Sequence, residues 1–265
     1  MENCIEEVKM WMTINMLKLN DDKTEMMFFA RRGRAEQYLT TTLKIGNATI
    51  SPSKAVRNLG SIMDPTLSME EQVNMLIRSA SLQIRNIYKV RRYLTADAAK
   101  SDVQALILNR LDYANSLLYG ITKQQIHKLQ KIQNTAARVI FRLNRRDHIT
   151  PRLKDLHWLK IEHRLKYKLG VLTYLCIRGM APRYLRDLIN IKMPARDLRS
   201  ADSPTLDDGL TSTERKKLTK SGERAFQYAA PVLWNKLPSH LQNAENIQTF
   251  KRLLKTHLFV ECYNL

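Results

Sequence analysis

Residues Thr122 to Leu143 read TKQQIHKLQKIQNTAARVIFRL and begin with the signature of a helix N-terminus. Thr122 and Gln125 are spaced as a capping box, in which the two side chains satisfy backbone N–H groups at the start of a helix. Apolar residues then recur at three- and four-residue steps, at Ile126, Leu129, Ile132, Ala136, Val139 and Leu143. This period predicts a long amphipathic helix that needs neighbours to bury its apolar face.

Two similar stretches precede this helix. Ser68 and Glu71 are spaced as another capping box and open an apolar pattern that continues at helical spacing to Leu94. Thr95 is a candidate N-cap for a following helix that runs toward Tyr113. Because three successive amphipathic helices cannot bury their apolar faces alone, we expect a helical bundle.

The first part of the chain has a different pattern. After a helix predicted to end near Leu19, Glu25 to Ala30 and Val56 to Met63 are rich in apolar, β-branched or aromatic residues, which is typical of short strands. Gly46-Asn47 is a turn signal between them, and Arg31 to Arg34 is expected to be a basic loop. We therefore predict a small antiparallel sheet, and for the whole chain an α+β fold that is mainly α.

The C-terminal part is predicted to be helical, with one long loop. Thr150-Pro151 places proline where a first helical turn tolerates it, and Ile161 to Ile177 should form one helix that ends at Gly179. The segment at about 193–222 mixes proline, aspartate, glycine and basic residues, which favours an exposed loop. A final helix is marked by Ile247, Phe250, Leu254 and Leu258.

Charge is the most unusual bulk property of the chain. Its 265 residues contain 44 Lys and Arg against 25 Asp and Glu, which leaves a formal net charge of +19. Such an excess attracts polyanions, most commonly nucleic acid, although anionic membranes and acidic proteins respond to it as well.

Cysteine content and hydropathy indicate the cellular compartment of the protein. Cys4, Cys176 and Cys262 are far apart and form no C-x-x-C pair, which argues against a disulfide framework or a zinc knuckle and favours a reducing compartment. No apolar run approaches about 18 residues, and the acidic N-terminus does not fit a secretion signal. We therefore expect an intracellular protein, nuclear or cytoplasmic, that is not secreted and does not bind a membrane.

Five blocks of sequence resemble, in the same order, the C-terminal part of a non-LTR (LINE-type, jockey-like) retrotransposon reverse transcriptase. They are LKLNDDKTEMMFF (17–29), VRNLGSIMD (56–64), NRLDYANSLLYG (109–120), DHITPRLKDLHWLKIEHRLKYK (147–168) and RAFQYAAPVLWNKLP (224–238). The resemblance implies a residual palm at 1–66, a thumb-like helical bundle at 67–148, and a C-terminal helical domain at 149–265. It also implies that the parent protein is an RNA-directed DNA polymerase.

The catalytic aspartates of that family are expected to lie upstream of this chain. The pair Asp21-Asp22 follows Asn20 in a polar turn and lacks the apolar strands that a two-metal hairpin needs, and Asp207-Asp208 lies in the predicted loop. The six histidines have no metal-ligand spacing. The chain is therefore expected to be no enzyme as it stands and to hold no cofactor or metal, whereas the complete enzyme uses Mg²⁺.

Two family motifs imply contacts with substrate or primer. By the resemblance, Lys23 corresponds to the lysine near the triphosphate of the incoming nucleotide, but in a chain without a substrate site we expect a solvated turn lysine instead. Leu59 and Gly60 resemble the primer grip, where a glycine allows the backbone to approach nucleic acid closely. The alternative for Gly60 is an ordinary strand glycine.

Two predicted helices carry basic rows opposite their apolar faces. The rows consist of Arg78, Arg85, Lys89 and Arg92, and of Lys128, Lys131, Arg138, Arg142 and Arg145. Such rows are usually solvated faces, and the scarcity of acidic residues among them places a surface that follows a phosphate backbone on an equal footing with that alternative. RNA or an RNA–DNA duplex is the expected partner, with no small-molecule substrate. The rival hypothesis is a free-standing basic helical binding or scaffold protein derived from a retroelement.

Overall fold

The computed structural model describes residues 2–20, 23–30, 33–38, 40–45, 48–192, 205–218 and 221–265. The Asp21-Asp22 pair, Arg31 and the Gly46-Asn47 turn signal lie outside these residues. The chain divides into two compact units, an N-terminal unit, Met1–Gln72, and a C-terminal unit, Val73–Leu265. The predicted further division at residue 148 stays a prediction.

The N-terminal unit contains one helix and two β-hairpins. Its elements are α1 (Glu2–Ile14), β1 (Leu43–Ile45), β2 (Ala48–Ile50), β3 (Val56–Asn58) and β4 (Ser61–Met63). β1 pairs with β2 and β3 pairs with β4, both antiparallel and as separate two-stranded sheets. Helix α1 buries none of its residues and leaves Trp11 and Ile14 exposed.

Two sequence predictions in this unit are wrong. Helix α1 ends at Ile14 rather than near Leu19, because Met16 adopts a positive φ of 57° and the N–H of Leu17 donates to the carbonyl of Met12 at 2.8 Å, which closes the helix end. Glu25 to Ala30 is not a strand, since apart from a single bridge between Met26 and Pro52 it has no ladder partner among the described residues.

The C-terminal unit is a helical assembly. Its α-helices are α2 (Glu70–Val90, which begins at the end of the N-terminal unit), α3 (Ala96–Val103), α4 (Asn109–Asp112), α5 (Lys123–Phe141), α6 (Thr150–Asp155), α7 (Ile161–Ile177), α8 (Arg183–Arg186), α9 (Ser212–Lys217), α10 (Phe226–Trp234), α11 (Ser239–Gln242) and α12 (Ile247–Tyr263). Strands β5 (Asn190–Lys192) and β6 (Thr205–Asp207) form one antiparallel hairpin. The prediction of a mainly α, α+β fold is confirmed.

Helix capping explains several of these boundaries. The capping box of Thr122 and Gln125 is present at α5, and the hydroxyl of Thr95 accepts from the N–H of Ala98 at the start of α3. Helix α2 instead begins at Glu70, because the carboxylate of Asp64 accepts from the N–H groups of Ser68 and Met69. Burial opposes ionisation of Asp64, but these bonds and that from Thr66 hold its pKa below the ordinary value.

Helix α7 is the centre of the C-terminal unit. It packs against α5, α10 and α12, and the ring of Tyr174 stacks on Phe250 at 4.3 Å with Trp234 beside both. The hydroxyl of Tyr174 donates to the carbonyl of Ala244 at 2.9 Å. The polar group of this buried ring is therefore satisfied, and aromatic packing joins three helices.

The loop predicted at about 193–222 is only partly a loop. Its described residues include β6 and α9, and Leu206 of β6 is buried. The side chain of Asn235 accepts from the N–H of Leu206 at 2.9 Å and donates to its carbonyl at 2.8 Å. A single amide thus holds this segment against the α10 region, which composition alone does not reveal.

Candidate nucleic-acid interface

The basic row on α2 lies on one face of that helix. At 100° per residue, Arg78, Arg85 and Lys89 fall within about 40° of one another and span about 16 Å along the helix axis. All three side chains are exposed. The buried residues of the C-terminal part of α2, among them Ala80 and Ile87, fall on the opposite side.

These three cations are available to a ligand. Within the described parts of the chain, none of them takes part in an ion pair or a side-chain hydrogen bond. A row of unpaired charges at intervals of about 10 and 6 Å along a helix can contact successive phosphates of a nucleic acid backbone.

Two exposed tyrosines accompany this row. Tyr88 on α2 and Tyr93 in the 3₁₀ turn after it are 72% and 73% exposed, and the guanidinium carbon of Arg92 lies 4.6 Å from the centroid of the Tyr93 ring. Exposed aromatic rings among basic residues are the arrangement with which proteins stack single-stranded bases. The sequence analysis missed both residues, although Tyr88 lies off the apolar period of α2 and could have been recognised by that signal.

In the second basic row, on and after α5, some side chains are exposed and others form hydrogen bonds within the protein. Lys131 on α5 and Arg145 after it are exposed, whereas Lys128 and Arg138 are half-buried. The guanidinium of Arg138 donates to the carbonyl of Asp147 at 3.2 Å, and its Nε is buried without a partner.

Arg142 has a structural partner as well. It is the C-cap of α5 in the left-handed conformation, and its guanidinium donates to the carbonyls of Arg91 and Arg92 at 3.2 and 3.3 Å. Cations at a helix C-terminus satisfy free carbonyls and oppose the helix dipole. The nucleic-acid role predicted for Arg138 and Arg142 stays a prediction, but both guanidinium groups already donate to main-chain carbonyls of the protein.

Arg91 is a residue that the sequence analysis did not single out. It is only 7% exposed and donates to the carbonyls of Val139, Ile140 and Leu94 at 2.8, 2.6 and 2.7 Å. Burial, and secondarily the charge of Arg142, lower the pKa of the Arg91 guanidinium. Arg91 follows Ile84 and Ile87 at seven and four residues, so it continues the buried face of α2, and this spacing is the signal that could have identified it.

The primer-grip-like motif forms a tight hairpin in the N-terminal unit. Val56 pairs with Met63 and Asn58 with Ser61, which leaves Leu59 and Gly60 as a two-residue turn with φ of 45° and 83°. Positive φ at both positions is the geometry of a type I′ turn, in which leucine is disfavoured. Leu59 is nevertheless at the tip and 85% exposed. Strain of this kind and an exposed apolar tip are features of sites that contact a ligand.

Lys23 lies in a tight polar turn. Its N–H donates to the side-chain oxygen of Asn20 at 3.2 Å, and the hydroxyl of Thr24 donates to the carbonyl of Asn20 at 2.9 Å. The Lys23 side chain is exposed. This geometry fits a solvated turn lysine, and the triphosphate role stays an implication of the resemblance.

Three of the sequence blocks meet in the C-terminal unit. The carboxylate of Asp112 accepts two bonds from the guanidinium of Arg164, one of them at 2.8 Å. Arg224 donates to the carbonyls of Tyr119 and Leu117, both at 2.9 Å. A side chain at Gly120 would lie 2.6 Å from Cγ of Arg224, so glycine permits this close approach. The blocks 109–120, 147–168 and 224–238 therefore form one packed region.

In the described ranges, no three side chains of the metal-ligating types converge. Asp208 instead pairs with Arg215 at 2.5 Å, and Asp207 accepts from the N–H of Gly209. Among the helices that the structure describes, none has both the length and the apolar character to cross a membrane.

Comparison of the chain with protein-family models, with curated proteins and with solved structures finds no match.

Proposed function

We propose that this chain is the C-terminal part of a non-LTR retrotransposon reverse transcriptase, which binds nucleic acid but does not itself catalyse polymerisation. The observation that carries the proposal is the exposed face of α2, where Arg78, Arg85 and Lys89 are unpaired, together with the exposed rings of Tyr88 on α2 and Tyr93 in the turn after it. The five sequence blocks supply the family, and the net charge of +19 supplies the general attraction to a polyanion.

The chemistry of binding follows from these side chains. The ammonium and guanidinium groups neutralise phosphates and release condensed counterions, which is independent of sequence. The tyrosines offer ring faces on which unpaired bases can stack. A template with a single-stranded region next to a duplex would use both features of the same helix.

The β3–β4 hairpin supports the same proposal for the N-terminal unit. A strained turn that presents Leu59 and a glycine backbone at its tip can press against a sugar or base of a primer end. Its small contact area means that it would position a primer rather than supply most of the affinity.

We assign no catalytic step to this chain. Magnesium-dependent phosphoryl transfer uses paired carboxylates that hold two ions about 4 Å apart, and no aromatic-x-Asp-Asp motif occurs in the sequence. The Asp207-Asp208 pair does not fit, since Arg215 already neutralises Asp208. Purified protein should therefore incorporate no labelled nucleotide on a template–primer with magnesium or manganese. Incorporation that Asp21→Ala abolishes would contradict this expectation.

A salt series tests the binding surface. Replacing Arg78, Arg85 and Lys89 with alanine should lower the slope of log affinity against log salt for an RNA–DNA duplex by about 2.7, because each phosphate contact contributes about 0.9. The matched control removes three exposed charges on other elements of the same unit, Lys192, Lys236 and Arg252. This control should change affinity through the general field alone, which is screened beyond roughly 10 Å at 0.1 M salt.

The two triple variants give distinct outcomes. A lower slope for the α2 variant alone supports phosphate contacts on α2. Equal slopes for both variants would remove this surface and leave only a basic helical protein. Circular dichroism of each variant confirms that the comparison is made on folded protein.

The rival is a free-standing basic binding or scaffold protein. It is favoured by the fact that the C-terminal unit has its own aromatic core around Tyr174, Trp234 and Phe250. Reading the DNA immediately upstream of the Met1 codon for an in-frame aromatic-x-Asp-Asp motif separates the two. Its presence supports a longer polymerase, and a stop codon directly upstream supports the rival.

A further inference from the structure

A cleft of about 500 Å³ opens in the C-terminal unit. Its lining residues do not include those of the basic row on α2. Residues from α3, α4, α7, α12 and the link between α6 and α7 line it. Most of its lining comes from the blocks 109–120 and 147–168, and its volume falls in the range of about 300–1,000 Å³ that small-molecule sites occupy.

The charge of the cleft is strongly positive. The ion pair of Asp112 and Arg164 neutralises itself, which leaves three exposed lysines, Lys100, Lys168 and Lys255, among the lining residues. In the part of the chain that the structure describes, none of the three has a carboxylate partner. Three unpaired ammonium groups around one cleft are suited to a phosphate group.

A buried acceptor also lines the cleft. Asn115 is 3% exposed, its amide NH₂ donates to the Asp112 carboxylate at 3.3 Å, and its Oδ1 is buried without a hydrogen-bond partner. The bond to Asp112 determines which end of the amide carries the free oxygen. Because an unsatisfied buried acceptor costs about 1–3 kcal/mol, a ligand that brings an N–H or O–H donor would recover this energy.

The backbone immediately before Asn115 has a strained conformation. Ala114, immediately before it, has a φ of 49°, a left-handed conformation that costs a residue other than glycine about 1–2 kcal/mol. A π-helical segment, Gln104–Leu108, precedes α4, and Gln104 lines the same cleft. Both irregularities are of the kind that persists at ligand sites.

Aromatic side chains complete the lining. Trp158 is buried and its carbonyl accepts from the hydroxyl of Tyr263 at 2.6 Å, so this wall is anchored to α12. Tyr167 on α7 is half-buried, and burial raises the pKa of its hydroxyl, so it is neutral and can act as a donor. Aromatic surface of this kind suits the ring of a nucleobase.

We propose that this cleft binds a mononucleotide-class ligand, with the phosphate at the lysines Lys100, Lys168 and Lys255 and a hydroxyl or amino donor at Oδ1 of Asn115. Neither feature belongs to the basic rows on α2 and α5, so the inference goes beyond the proposed function and does not depend on it. It also goes beyond the sequence analysis, which expected no small-molecule substrate.

Isothermal titration of the full chain with AMP tests the proposal. AMP should bind with saturation, and adenosine and inorganic phosphate should each bind at least about 10-fold more weakly, because each lacks one of the two recognised groups. The double variant Lys168→Ala/Lys255→Ala should weaken AMP binding by about 100-fold, on the basis of about 10-fold for each charged hydrogen bond.

A matched control removes two exposed lysines outside the cleft, Lys192→Ala/Lys236→Ala, and should leave AMP affinity within about 2-fold, since surface substitutions change little elsewhere. Equal loss in both double variants, equal affinity for AMP and inorganic phosphate, or no saturable AMP binding would each overturn the proposal. The Arg78, Arg85 and Lys89 triple variant should bind AMP normally, so that failure of the α2 surface and failure of the cleft are distinguished.

Asn115→Ala provides an independent measurement. If it folds, it should weaken AMP binding by about 10-fold while leaving the affinity for inorganic phosphate unchanged. Equal effects on both probes would overturn the role of Asn115. The lysine variants still decide the proposal if this buried substitution prevents folding.

Discussion

The guanidinium groups of Arg91 and Arg142 each donate to main-chain carbonyls at or near the other arginine. The guanidinium of Arg91 bonds to the last turn of α5 at Val139 and Ile140, and the guanidinium of Arg142 returns to the carbonyl of Arg91. Two like charges are thus held together because each guanidinium donates to main-chain carbonyls at the end of the other helical segment. The end of α2 is joined to the end of α5 in this way.

These hydrogen bonds predict that Arg91 contributes much more to the stability of the C-terminal unit than the adjacent Arg92. Arg91→Ala should lower the free energy of unfolding of the C-terminal unit by about 3 kcal/mol, because buried carbonyls lose their donor. Urea unfolding followed by circular dichroism measures the change. The neighbouring substitution Arg92→Ala, at an exposed position, should stay within about 0.5 kcal/mol. Similar values for the two variants would show that the buried bonds contribute little.

The tyrosines beside the α2 row should contribute affinity without contributing charge. Tyr88→Ala and Tyr93→Ala should each weaken binding of a single-stranded oligonucleotide by about 1–3 kcal/mol, which is the value of a lost base stack, and leave the salt slope unchanged. Fluorescence anisotropy over a salt series measures both quantities. Tyr184→Ala on α8, which is about as exposed, is the matched control. An equal loss for Tyr184→Ala would exclude a specific stacking site.

The hairpin tip should gain stability when its strain is removed. Leu59→Asn should stabilise the β3–β4 hairpin by about 1 kcal/mol, because asparagine tolerates the left-handed conformation and is preferred in type I′ turns. Hydrogen exchange of the amides of residues 56–63 should slow accordingly. Leu82→Asn, an exposed leucine within α2, should instead be slightly destabilising. If Leu59→Asn also weakens binding to a primer end, the native leucine is retained for contact rather than for folding.

The C-terminal unit should lose stability in mild acid. Burial, and then Lys166 and Lys160, lower the pKa of His163, against the opposing effect of Glu261 and Glu162. The folded state therefore disfavours protonated His163, and its contribution to stability is complete above the ordinary pKa of about 6.5 and declines as pH falls below it. Unfolding titrations between pH 7.5 and 5 should show this loss.

His163→Gln should reduce the dependence of stability on pH in that window, whereas His127→Gln, an exposed histidine on α5, should leave it unchanged. Glu261 adds a second decline at lower pH. Burial alone would raise its pKa, but the ammonium of Lys166 at 2.7 Å, with His163 and His257, holds it below the ordinary value. Its stabilising contribution is thus lost only as pH falls through that lowered pKa. A pH dependence that is identical in both histidine variants would contradict the role of His163.

Local sequence determined the helices of this protein well. The α5 capping box, the Thr95 cap of α3 and the span of α7 from Ile161 to Ile177 follow from side-chain chemistry and apolar period within a single segment. The same reasoning placed Arg78, Arg85 and Lys89 of the first basic row on an exposed face of α2. These features depend on neighbours a few residues away, which is why a sequence alone can indicate them.

The tertiary structure decided which charges and polar groups are free. Arg78 lies on α2 and Arg91 in the 3₁₀ turn directly after it, yet Arg91 is buried against α5 and Arg78 faces solvent, because the packing of a distant segment determines burial. Among the described residues, Glu25 to Ala30 has only the single bridge from Met26 to Pro52 and no ladder partner of the kind that a strand requires. Asn115 and Lys255 line one cleft although 140 positions separate them in the chain. Such juxtapositions arise from long-range contacts, and no local pattern of residue types contains them.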